Sequence, residues 1–277
     1  MKNIVVLVND ANSIPQVIEA GASEVVVALK DYSFSAIPKC SIEEARNNSV
    51  LMNRFYFAHE MDLLKEQLNT LKGLNVNHIY FSDPSVYYLA KEFDLVDKLI
   101  YKPDTMAVSA NDLQFWKDQG IYTASLSPLI TDEETTKILN EVENIEVTIH
   151  GHIFMSASKR QLLSSYFETI GLPTIQKKVL YLKEMKRDDL MPIYEDELGT
   201  LTYSDFILNS FEEIDSFNTD RYFIDSLFLN EDELIDAIHA YKNILEGSNA
   251  KEEKEKYINK YPNLKLASGY YKEKTIK

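Results

Sequence analysis

The stretch NIVVLVNDANSIPQVIEAGASEVVVAL, residues 3–29, contains a strand, a helix and a second strand, in the order that a parallel sheet requires. Its ends, NIVVLV and EVVVAL, are short β-branched runs typical of strands that are buried on both faces. Between them, SIPQVIEAGA has helical spacing, and Ser and Pro stand where a helix favours a cap and tolerates a missing N–H group. The stretch therefore predicts one βα unit and the strand of the next.

The same pattern repeats along most of the chain, and strands begin roughly every 20 to 28 residues, the size of a βα unit. Eight such units predict an α/β fold, a (β/α)8 TIM-like barrel with a large insertion after the seventh strand, at about 151–220. A doubly wound open sheet stays open as the alternative, because periodicity does not distinguish the two. The predicted strands are 3–8, 24–29, 54–59, 78–83, 98–103, 122–127, 145–150 and 221–229.

Length and composition suit one large core followed by a charged end. The chain has 277 residues and 45% hydrophobic content, so we predict a barrel domain at 1–245. Residues 246–277 are rich in Lys, Glu and Tyr and predict a solvated helix with a frayed end. The alternative for this tail is a docking or RNA-stacking element, with Tyr270 and Tyr271 as the stacking platforms.

Composition also limits where the protein works and what it binds. The sequence has no run of about 18 apolar residues and no signal-peptide pattern, so we expect a cytoplasmic protein that does not engage a membrane. The net charge of −15 opposes unaided binding to nucleic acid, but not an RNA-related role beside a basic partner. Cys40 is the single cysteine, which excludes intrachain disulfides and any site built from several thiolates.

Residues able to carry charge follow several of the predicted strands. In (β/α)8 barrels the chemistry lies at the carboxyl ends of the strands, so these side chains predict a ligand site at the barrel mouth. A single carboxylate there can instead cap the following helix, as SDPS at 82–85 allows. The strand-end residues are Asn9, Asp10, His59, Glu60, Asp83, Asp104, His150, His152 and Asp225.

The seventh strand ends in His-Gly-His, within EVTIHGHIFMSASKRQLLSSYF at 146–167. His150 and His152 lie on one face of an extended chain, and Gly151 permits a close backbone approach. With carboxylates nearby they offer ligands for a divalent metal, but the spacing is common by chance, and we expect no metal site. We favour a His150 that lies at the mouth and orients a substrate carboxylate or phosphate, assisted by Lys159 and Arg160. The alternative is a buried histidine that fills the core and has its hydrogen bonds satisfied there.

This segment resembles the signature of the collagenase-like peptidase family, peptidase family U32, in which a strand ending in His-Gly leads to a Ser-rich turn and a helix similar to LLSSY. Other landmarks follow in the family's order: EAGASEVVVAL, SDPSVYYLA, DTMAVSANDLQFW, PIYEDELGT and YSDFIL. The resemblance covers about residues 1–230. It implies a barrel fold, in agreement with the periodicity.

The resemblance does not by itself imply proteolysis. The family is labelled as peptidases without an assigned catalytic type, while several branches are associated with hydroxylation of RNA bases or quinone precursors. The chain is similar to small Gram-positive members for which the resemblance implies 5-hydroxylation of the tRNA wobble uridine. It further implies prephenate, a small anionic metabolite, and a longer paralogous partner, with tRNA reached only through that complex.

The sequence departs from the family pattern at two places. Members with an iron–sulphur cluster carry cysteines after the His-Gly strand, where this chain has Met155, Gln161 and other residues that are not cluster ligands, so we expect no iron–sulphur cluster. The eighth strand often ends in D-G-R or E-G-R, whereas IDSLF here keeps Asp225 and lacks the glycine and the arginine. That loss argues against activity of the chain alone.

Three functional hypotheses follow. We favour a barrel subunit that supports tRNA hydroxylation. The alternatives are a peptidase, in which His150 or a carboxylate activates water, and a degenerate module that binds a small anion. Against the peptidase stand the lack of an identifiable nucleophile dyad and of an HExxH helix. The predicted catalytic residues are His150, Asp104 and Glu60, and the predicted substrate-binding residues are His152, Asp83, His59, Lys159, Arg160 and Asp225.

Overall fold

Twelve strands form one sheet in the computed structural model, which describes residues 2–35, 37, 40–173, 178–186 and 188–272. The first seven pair in chain order and in parallel, and the eleventh pairs in parallel with both the first and the seventh. Eight strands therefore close into the predicted barrel. The strands are β1 (Asn3–Val8), β2 (Glu24–Ala28), β3 (Ser49–Met52), β4 (Ile79–Phe81), β5 (Leu99–Tyr101), β6 (Thr123–Leu126), β7 (Ile145–Ser158), β8 (Leu180–Lys183), β9 (Leu190–Asp196), β10 (Gly199–Asn209), β11 (Arg221–Asp225) and β12 (Leu266–Ala267).

Helices follow the barrel strands, and several begin with the caps that their sequences predict. Thr131 and Asn230 each accept from the backbone three residues on and complete a capping box. Among the described helices, none has both the length and the apolar character needed to cross a membrane. The α-helices are α1 (Ile14–Ala20), α2 (Met61–Leu74), α3 (Pro84–Ala90), α4 (Ala110–Asp118), α5 (Asp132–Glu141), α6 (Leu162–Thr169), α7 (Glu231–Leu245) and α8 (Ala250–Lys260). Short 3-10 helices occupy Ala11–Ser13, Ile42–Ala45, Ala58–Glu60, Lys91–Phe93, Val96–Lys98 and Ile214–Ser216.

Alternation along the barrel strands divides the core into two layers. Side chains that point inward fill the barrel, and their neighbours in sequence pack between the barrel and the helices. In β1, for example, Val5 and Leu7 lie in the inner layer, and Val6 and Val8 in the outer one. The inner apolar residues are Val5, Leu7, Val26, Ala28, Leu51, Tyr80, Ile100 and Phe223.

A charged network closes the amino-terminal end of the barrel. Arg221 donates to Glu24 (2.9 Å) and to the Tyr80 hydroxyl (2.8 Å), which in turn donates to the buried Glu146 (2.8 Å). Burial raises the pKa of Glu24, but the hydrogen bond from His78 and the charge of Arg221 outweigh it and lower that pKa to about 2. Because this face lies opposite the mouth, we interpret the network as structural.

The insertion between β7 and β11 covers the mouth. After leaving the barrel, β7 continues as an antiparallel partner of β10, which pairs with β9, and β9 pairs with β8. Tyr194, Leu201 and Tyr203 of this sheet pack against Phe34 and Leu227, which follow barrel strands. The predicted insertion after the seventh strand is therefore confirmed, and it forms a cover.

The prediction of the third strand at 54–59 is wrong. The strand is the preceding SVLM, and the aromatic run forms a loop at the mouth. Phe55 and Phe57 are exposed, whereas Arg54 is buried and donates to the carbonyl of Asp31 (2.6 Å). Buried and exposed side chains alternate along this loop, so its sequence resembles that of a strand. The loop is held by side-chain contacts rather than by backbone hydrogen bonds to a neighbouring strand.

The carboxyl-terminal segment packs on the barrel instead of extending into solvent. Tyr257 on α8 is 3% exposed and Tyr271 is 2% exposed. The Tyr271 hydroxyl hydrogen-bonds that of Ser210 (2.7 Å), and β12 pairs with β10. The expectation of a solvated tail is therefore wrong for 250–272.

Burial also excludes Tyr271 as an RNA-stacking platform, since its ring has no free face. Residues 273–277 lie outside the described part of the chain. The domain boundary at 245 stays a prediction.

The barrel closes where β7 and β11 meet at Gly151. This glycine has a φ of +124°, and a Cβ built on it would lie 2.5 Å from the Asp225 carbonyl oxygen and 2.9 Å from the Asp225 Cβ. A β-bulge interrupts the β7–β11 register beside it, between Phe223 and Ile224. Only glycine combines this conformation with so close a contact.

Replacing Gly151 with Ala should lower the free energy of unfolding by about 2–4 kcal/mol, because the strained backbone and the clash with Asp225 add together. Urea unfolding measures this loss. The matched control is Gly247→Ala, whose φ of +105° is similarly unfavourable but whose added Cβ meets nothing within 4 Å. Equal losses in the two variants would contradict the importance of the close contact.

Candidate functional site

Four polar side chains meet at the centre of the barrel mouth, and we call them the mouth cluster: Asn53, Lys102, Asp104 and Asp225. Lys102 Nζ lies 3.3 Å from Asp104 Oδ1. Asn53 Nδ2 donates to Asp104 Oδ2 over 3.5 Å. The cluster thus places an ammonium group beside one carboxyl group, with a second carboxyl group lining the same cavity, at the end of the barrel where barrel enzymes carry their chemistry.

Lys102 reaches the mouth because β5 directs alternate side chains inward. Ile100 lies in the inner layer, and Lys102 follows two residues later. Its residue is 5% exposed, its Nζ lies 3.4 Å from the Ser125 hydroxyl, and it stands 4.2 Å from the centre of the Phe223 ring. A lysine so deeply buried is rare and is normally paired, as Lys102 is with Asp104.

The two carboxyl groups of the cluster differ in their surroundings. Burial raises the pKa of Asp225 to about 6, although the Leu227 N–H and the charge of Lys102 act in the opposite direction. Asp104 adopts a left-handed backbone with φ of +59°, an uncommon conformation that recurs at functional sites. A carboxyl group with a pKa near neutrality can both donate and accept a proton.

The insertion leaves little space above the cluster. Phe154 and Tyr203 of the cover, together with Phe34, line a narrow cavity of about 20 Å³ over the mouth cluster. This volume holds about one water molecule. A metabolite can therefore reach Lys102 only if the cover moves outward.

A second group of charges ties the insertion to the rim of the barrel. Glu60 accepts from Arg54 (2.5 Å) and from Lys159, which also donates to the Phe55 carbonyl (2.9 Å) and lies 3.9 Å from the Phe57 ring centre. Burial raises the pKa of Glu60, but hydrogen bonds from Lys159 and the Phe57 N–H, with the charges of both cations, hold it below its usual value. These contacts connect the loop before α2 with the end of β7.

His150 does not lie at the mouth, and this expectation was wrong. The residue is fully buried in the outer layer, against the rings of Phe211, Tyr241 and Tyr257. Its Nδ1 is 3.3 Å from the Tyr241 hydroxyl, and its Nε2 is 3.5 Å from that of Tyr257. Burial, and to a smaller extent His152, lower the pKa of His150 to about 3, so the ring stays neutral at physiological pH.

Two other predicted residues make structural contacts. His152 hydrogen-bonds the Ser204 carbonyl through Nδ1 (2.7 Å) and packs edge-to-face with Phe228, and burial lowers its pKa. Asp83 caps α3 by accepting from the Ser85 N–H (2.8 Å), and its other oxygen accepts from the Tyr56 N–H (2.8 Å). The helix cap that SDPS allows is therefore present. The hydrogen bond from Tyr56 to Asp83 also holds the loop after β3 in place.

His59 and Arg160 do not line the cavity over the mouth cluster. His59 is exposed and stacks on Phe57 at 5.8 Å, and Arg160 is exposed at the end of β7. Cys40 is buried, and burial raises the pKa of its thiol to about 12, which leaves no thiolate for catalysis. Nowhere in the described ranges do three His, Cys, Asp or Glu side chains group as a metal-ion site requires.

The structure thus brings Asp104 and Asp225 together in one cluster, and Glu60 and Lys159 in another. The catalytic and binding roles assigned to the predicted residues stay predictions. Sequence reasoning missed Asn53 and Lys102. The signal for Lys102 was available, since a lysine two residues after a barrel-facing isoleucine continues the inward face of its strand.

Comparison with known sequences identifies a family. The sequence model described as peptidase family U32 matches residues 9–277. A relative from Bacillus subtilis (strain 168), tRNA hydroxylation protein P2, is 26% identical over 249 residues, which cover 83% of this chain and 81% of the relative.

Two solved structures illustrate the structural matches, and both matches are weak. Oxaloacetate acetylhydrolase is 10% identical with a TM-score of 0.41, covering 92% of this chain and 87% of that one. A monomeric form of phosphoribosylanthranilate isomerase from Thermotoga maritima is 9% identical with a TM-score of 0.38, covering 53% of this chain and 75% of that one. The barrel is therefore established by the chain's own strand pairing.

Replacing His150 with Ala should lower the free energy of unfolding at pH 7.5 by about 2–4 kcal/mol, because a buried ring is removed from an aromatic layer. Below pH 6.5 this difference in the free energy of unfolding should shrink by up to about 1.4 kcal/mol per pH unit. The unfolded wild-type chain binds a proton at His150 in that range, whereas the folded chain does not. Acid therefore destabilises the wild type through this residue but not the variant, which lacks it. Urea unfolding from pH 7.5 to 4.5 measures both effects. The exposed His59→Ala variant is the control, and equal stability of the two variants would contradict the burial of His150.

Asp225→Asn should raise the free energy of unfolding at pH 8 by about 1–2 kcal/mol, because the amide avoids burying a charge and still accepts from Leu227. The pKa of Asp225 is raised in the fold, so its ionisation costs stability as pH rises through about 6, and the benefit should vanish near pH 4. Thermal unfolding at both pH values tests this, with the exposed Asp215→Asn as control. A destabilised Asp225→Asn at pH 8 would show instead that the charge is stabilising.

Proposed function

The chain belongs to peptidase family U32, and from this premise we propose that it supports tRNA hydroxylation rather than proteolysis. In this proposal it is one subunit of a cytoplasmic complex that converts the tRNA wobble uridine to 5-hydroxyuridine. Its barrel mouth holds a small carboxylate metabolite such as prephenate. A longer paralogous protein of the same family completes the complex and contacts the tRNA.

The observation that carries this proposal is the similarity to tRNA hydroxylation protein P2. The alignment extends over 83% of this chain and 81% of the relative, so it includes both the barrel and the insertion rather than an isolated motif. Sequence similarity that extends over most of both chains favours a related role. The family name alone does not favour peptidase activity, because function depends on the site and not on the fold.

The mouth cluster supports a small anionic ligand. Lys102 is a buried ammonium group with three donors, and it is the natural partner for a carboxylate that enters the mouth. With a pKa of about 6, Asp225 is mostly ionised at neutral pH, and the negative charge of a ligand bound beside it would raise that pKa further and favour the protonated form. The same carboxyl group is then available to exchange a proton with the ligand.

Several observations argue against a peptidase. An extended peptide needs an open groove beside the reacting groups, whereas Phe154 and Tyr203 of the cover lie over the mouth cluster. Cys40 is buried with a raised pKa, and Glu60 is held by Arg54 and Lys159 instead of being free to activate water. These placements favour a ligand that is enclosed by the cover.

Charge and surface composition support a partner. A chain with a net charge of −15 repels the tRNA backbone, so a basic partner is needed to supply the phosphate contacts. The insertion also exposes an apolar face, since Leu162 and Tyr166 on α6 and Tyr181 and Leu182 on β8 are each at least 45% exposed beside a groove of about 530 Å³. Exposed apolar surface of this kind is typical of protein interfaces.

Mass spectrometry of tRNA nucleosides tests the proposal in a strain that lacks the gene. We expect 5-hydroxyuridine derivatives to disappear and to return when the wild-type gene is restored. Lys102→Met keeps most of the length of the side chain and removes its charge. It should restore at least about tenfold less of these nucleosides, because a charge-assisted hydrogen bond to the ligand is lost. The exposed Lys251→Met is the matched control and should restore the full level.

Unchanged 5-hydroxyuridine derivatives in the deletion strain would overturn the proposed function. Full restoration by Lys102→Met would leave the tRNA role in place and remove Lys102 from the site. Lys102→Met leaves Asp104 without its cation, so a lower melting temperature is expected. Circular dichroism at the growth temperature shows whether the variant is still folded there, and this separates loss of function from loss of folding.

A further inference from the structure

The sheet of the insertion ends in an edge strand, β8. It pairs with β9 on one side, and within the described part of the chain no strand pairs with its other side. An edge strand presents a row of backbone N–H and C=O groups that can pair with another chain, and proteins usually protect such edges with proline, bulges or charges. LYLK at 180–183 contains one lysine and no proline, and its register with β9 is unbroken. The edge is therefore able to accept a further strand.

Apolar side chains lie beside this edge. Leu180 and Leu182 point to the same face of β8, where they line the groove of about 530 Å³ together with Leu162 and Tyr166 of α6. None of the residues of α6 is buried. An apolar helix and the apolar face of an edge strand thus lie side by side, and no described element covers them.

The exposed apolar area is of the size that protein interfaces bury. At roughly 200 Å² for a fully exposed large side chain, six residues of this face present about 700 Å². The largest apolar patch of a typical monomer is about 300–600 Å², and each partner in a standard interface buries about 800 Å². The area therefore suits another protein surface rather than a small ligand. The six residues, each at least 45% exposed, are Leu162, Tyr166, Tyr181, Leu182, Met185 and Leu190.

The sequence around β8 is complementary to itself in one antiparallel register. Residues directly opposite each other in a sheet point to the same face, so a two-fold axis must pass beside a residue and not between two residues. With the axis beside Tyr181, Leu180 lies opposite Leu182 of the second copy. The same register places Lys178 opposite Glu184 of the second copy. With the axis beside Leu182, Leu180 would instead lie opposite Glu184, so the sequence favours Tyr181.

We propose that the chain forms a two-fold homodimer through the outer edge of β8. The two β8 strands pair in antiparallel fashion about Tyr181 and join the two insertions into one continuous sheet. Both α6 helices then lie on the same face of that sheet. This face points away from the barrel, because Ile193 lines the groove while the neighbouring Tyr194 packs toward the mouth. The inference goes beyond the proposed function and does not depend on it.

Sedimentation velocity of the full-length purified chain tests the oligomeric state. We expect a dimer at about 10–50 μM, because interfaces of standard size reach micromolar affinity or better. Tyr181→Lys places two ammonium groups opposite each other beside the axis, so this variant should be a monomer at the same concentrations. The matched control is Tyr122→Lys, the same change at an exposed position before β6, and it should remain a dimer.

An engineered disulfide tests the register. Opposite Cα atoms in an antiparallel pair lie about 4.5–5.5 Å apart, which a disulfide can span. Under mild oxidation Tyr181→Cys should therefore form a covalent dimer that a reducing agent separates. In the control Lys183→Cys the two thiols would be roughly 14 Å apart along the strands and should not cross-link. Cys40 is buried and does not compete.

A wild-type chain that is monomeric at every concentration would overturn the inference and leave this face to a different protein. Dimers that persist in Tyr181→Lys would show that the copies meet elsewhere, and equal cross-linking of the two cysteine variants would show a different register. Either result contradicts the inference. None of them changes the expectation for 5-hydroxyuridine in the deletion strain, so the dimer and the proposed function are tested separately.

Discussion

The close contact between Gly151 and Asp225 is the constraint on which the rest of the molecule depends. Because Gly151 has no Cβ, β7 can approach the end of β11 and close the barrel. The bulge at that point turns His150 toward the helices and lets β7 continue outward as a strand of the insertion. The same closure holds Asp225 at the mouth, beneath the sheet that β7 begins.

The sequence predicts the architecture well because the barrel repeats one local pattern. Alternation of strands and helices indicates eight βα units, and the long interval before β11 indicates the insertion. The third strand was misplaced because Phe55 and Phe57 alternate with buried neighbours although side-chain contacts hold that loop. The carboxyl-terminal helix was misjudged for a related reason, since the few apolar residues that bury it, such as Tyr257, are separated by charges.

Only part of the candidate site could be predicted, because strand ends fix position but not side-chain direction. Asp104 and Asp225 follow barrel strands and do reach the mouth. His150 also ends a strand segment, yet a single bulge reverses which way it points, and no periodic pattern reports a bulge. Lys102 was overlooked because lysine is ordinarily a surface residue. When a site is predicted from sequence, a lysine that continues the inward face of a barrel strand should therefore be considered as carefully as a histidine.

His150 on β7 is structural and Asp225 on β11 is a titratable group at the mouth, and an NMR titration of the folded protein tests that difference most directly. Labelled histidine and aspartate side chains would be followed from pH 8 to pH 5. We predict that His150 stays neutral throughout, in keeping with a pKa of about 3, while Asp225 titrates at about 6. A His150 that titrates near 6.5, together with an Asp225 ionised at every pH, would contradict the account.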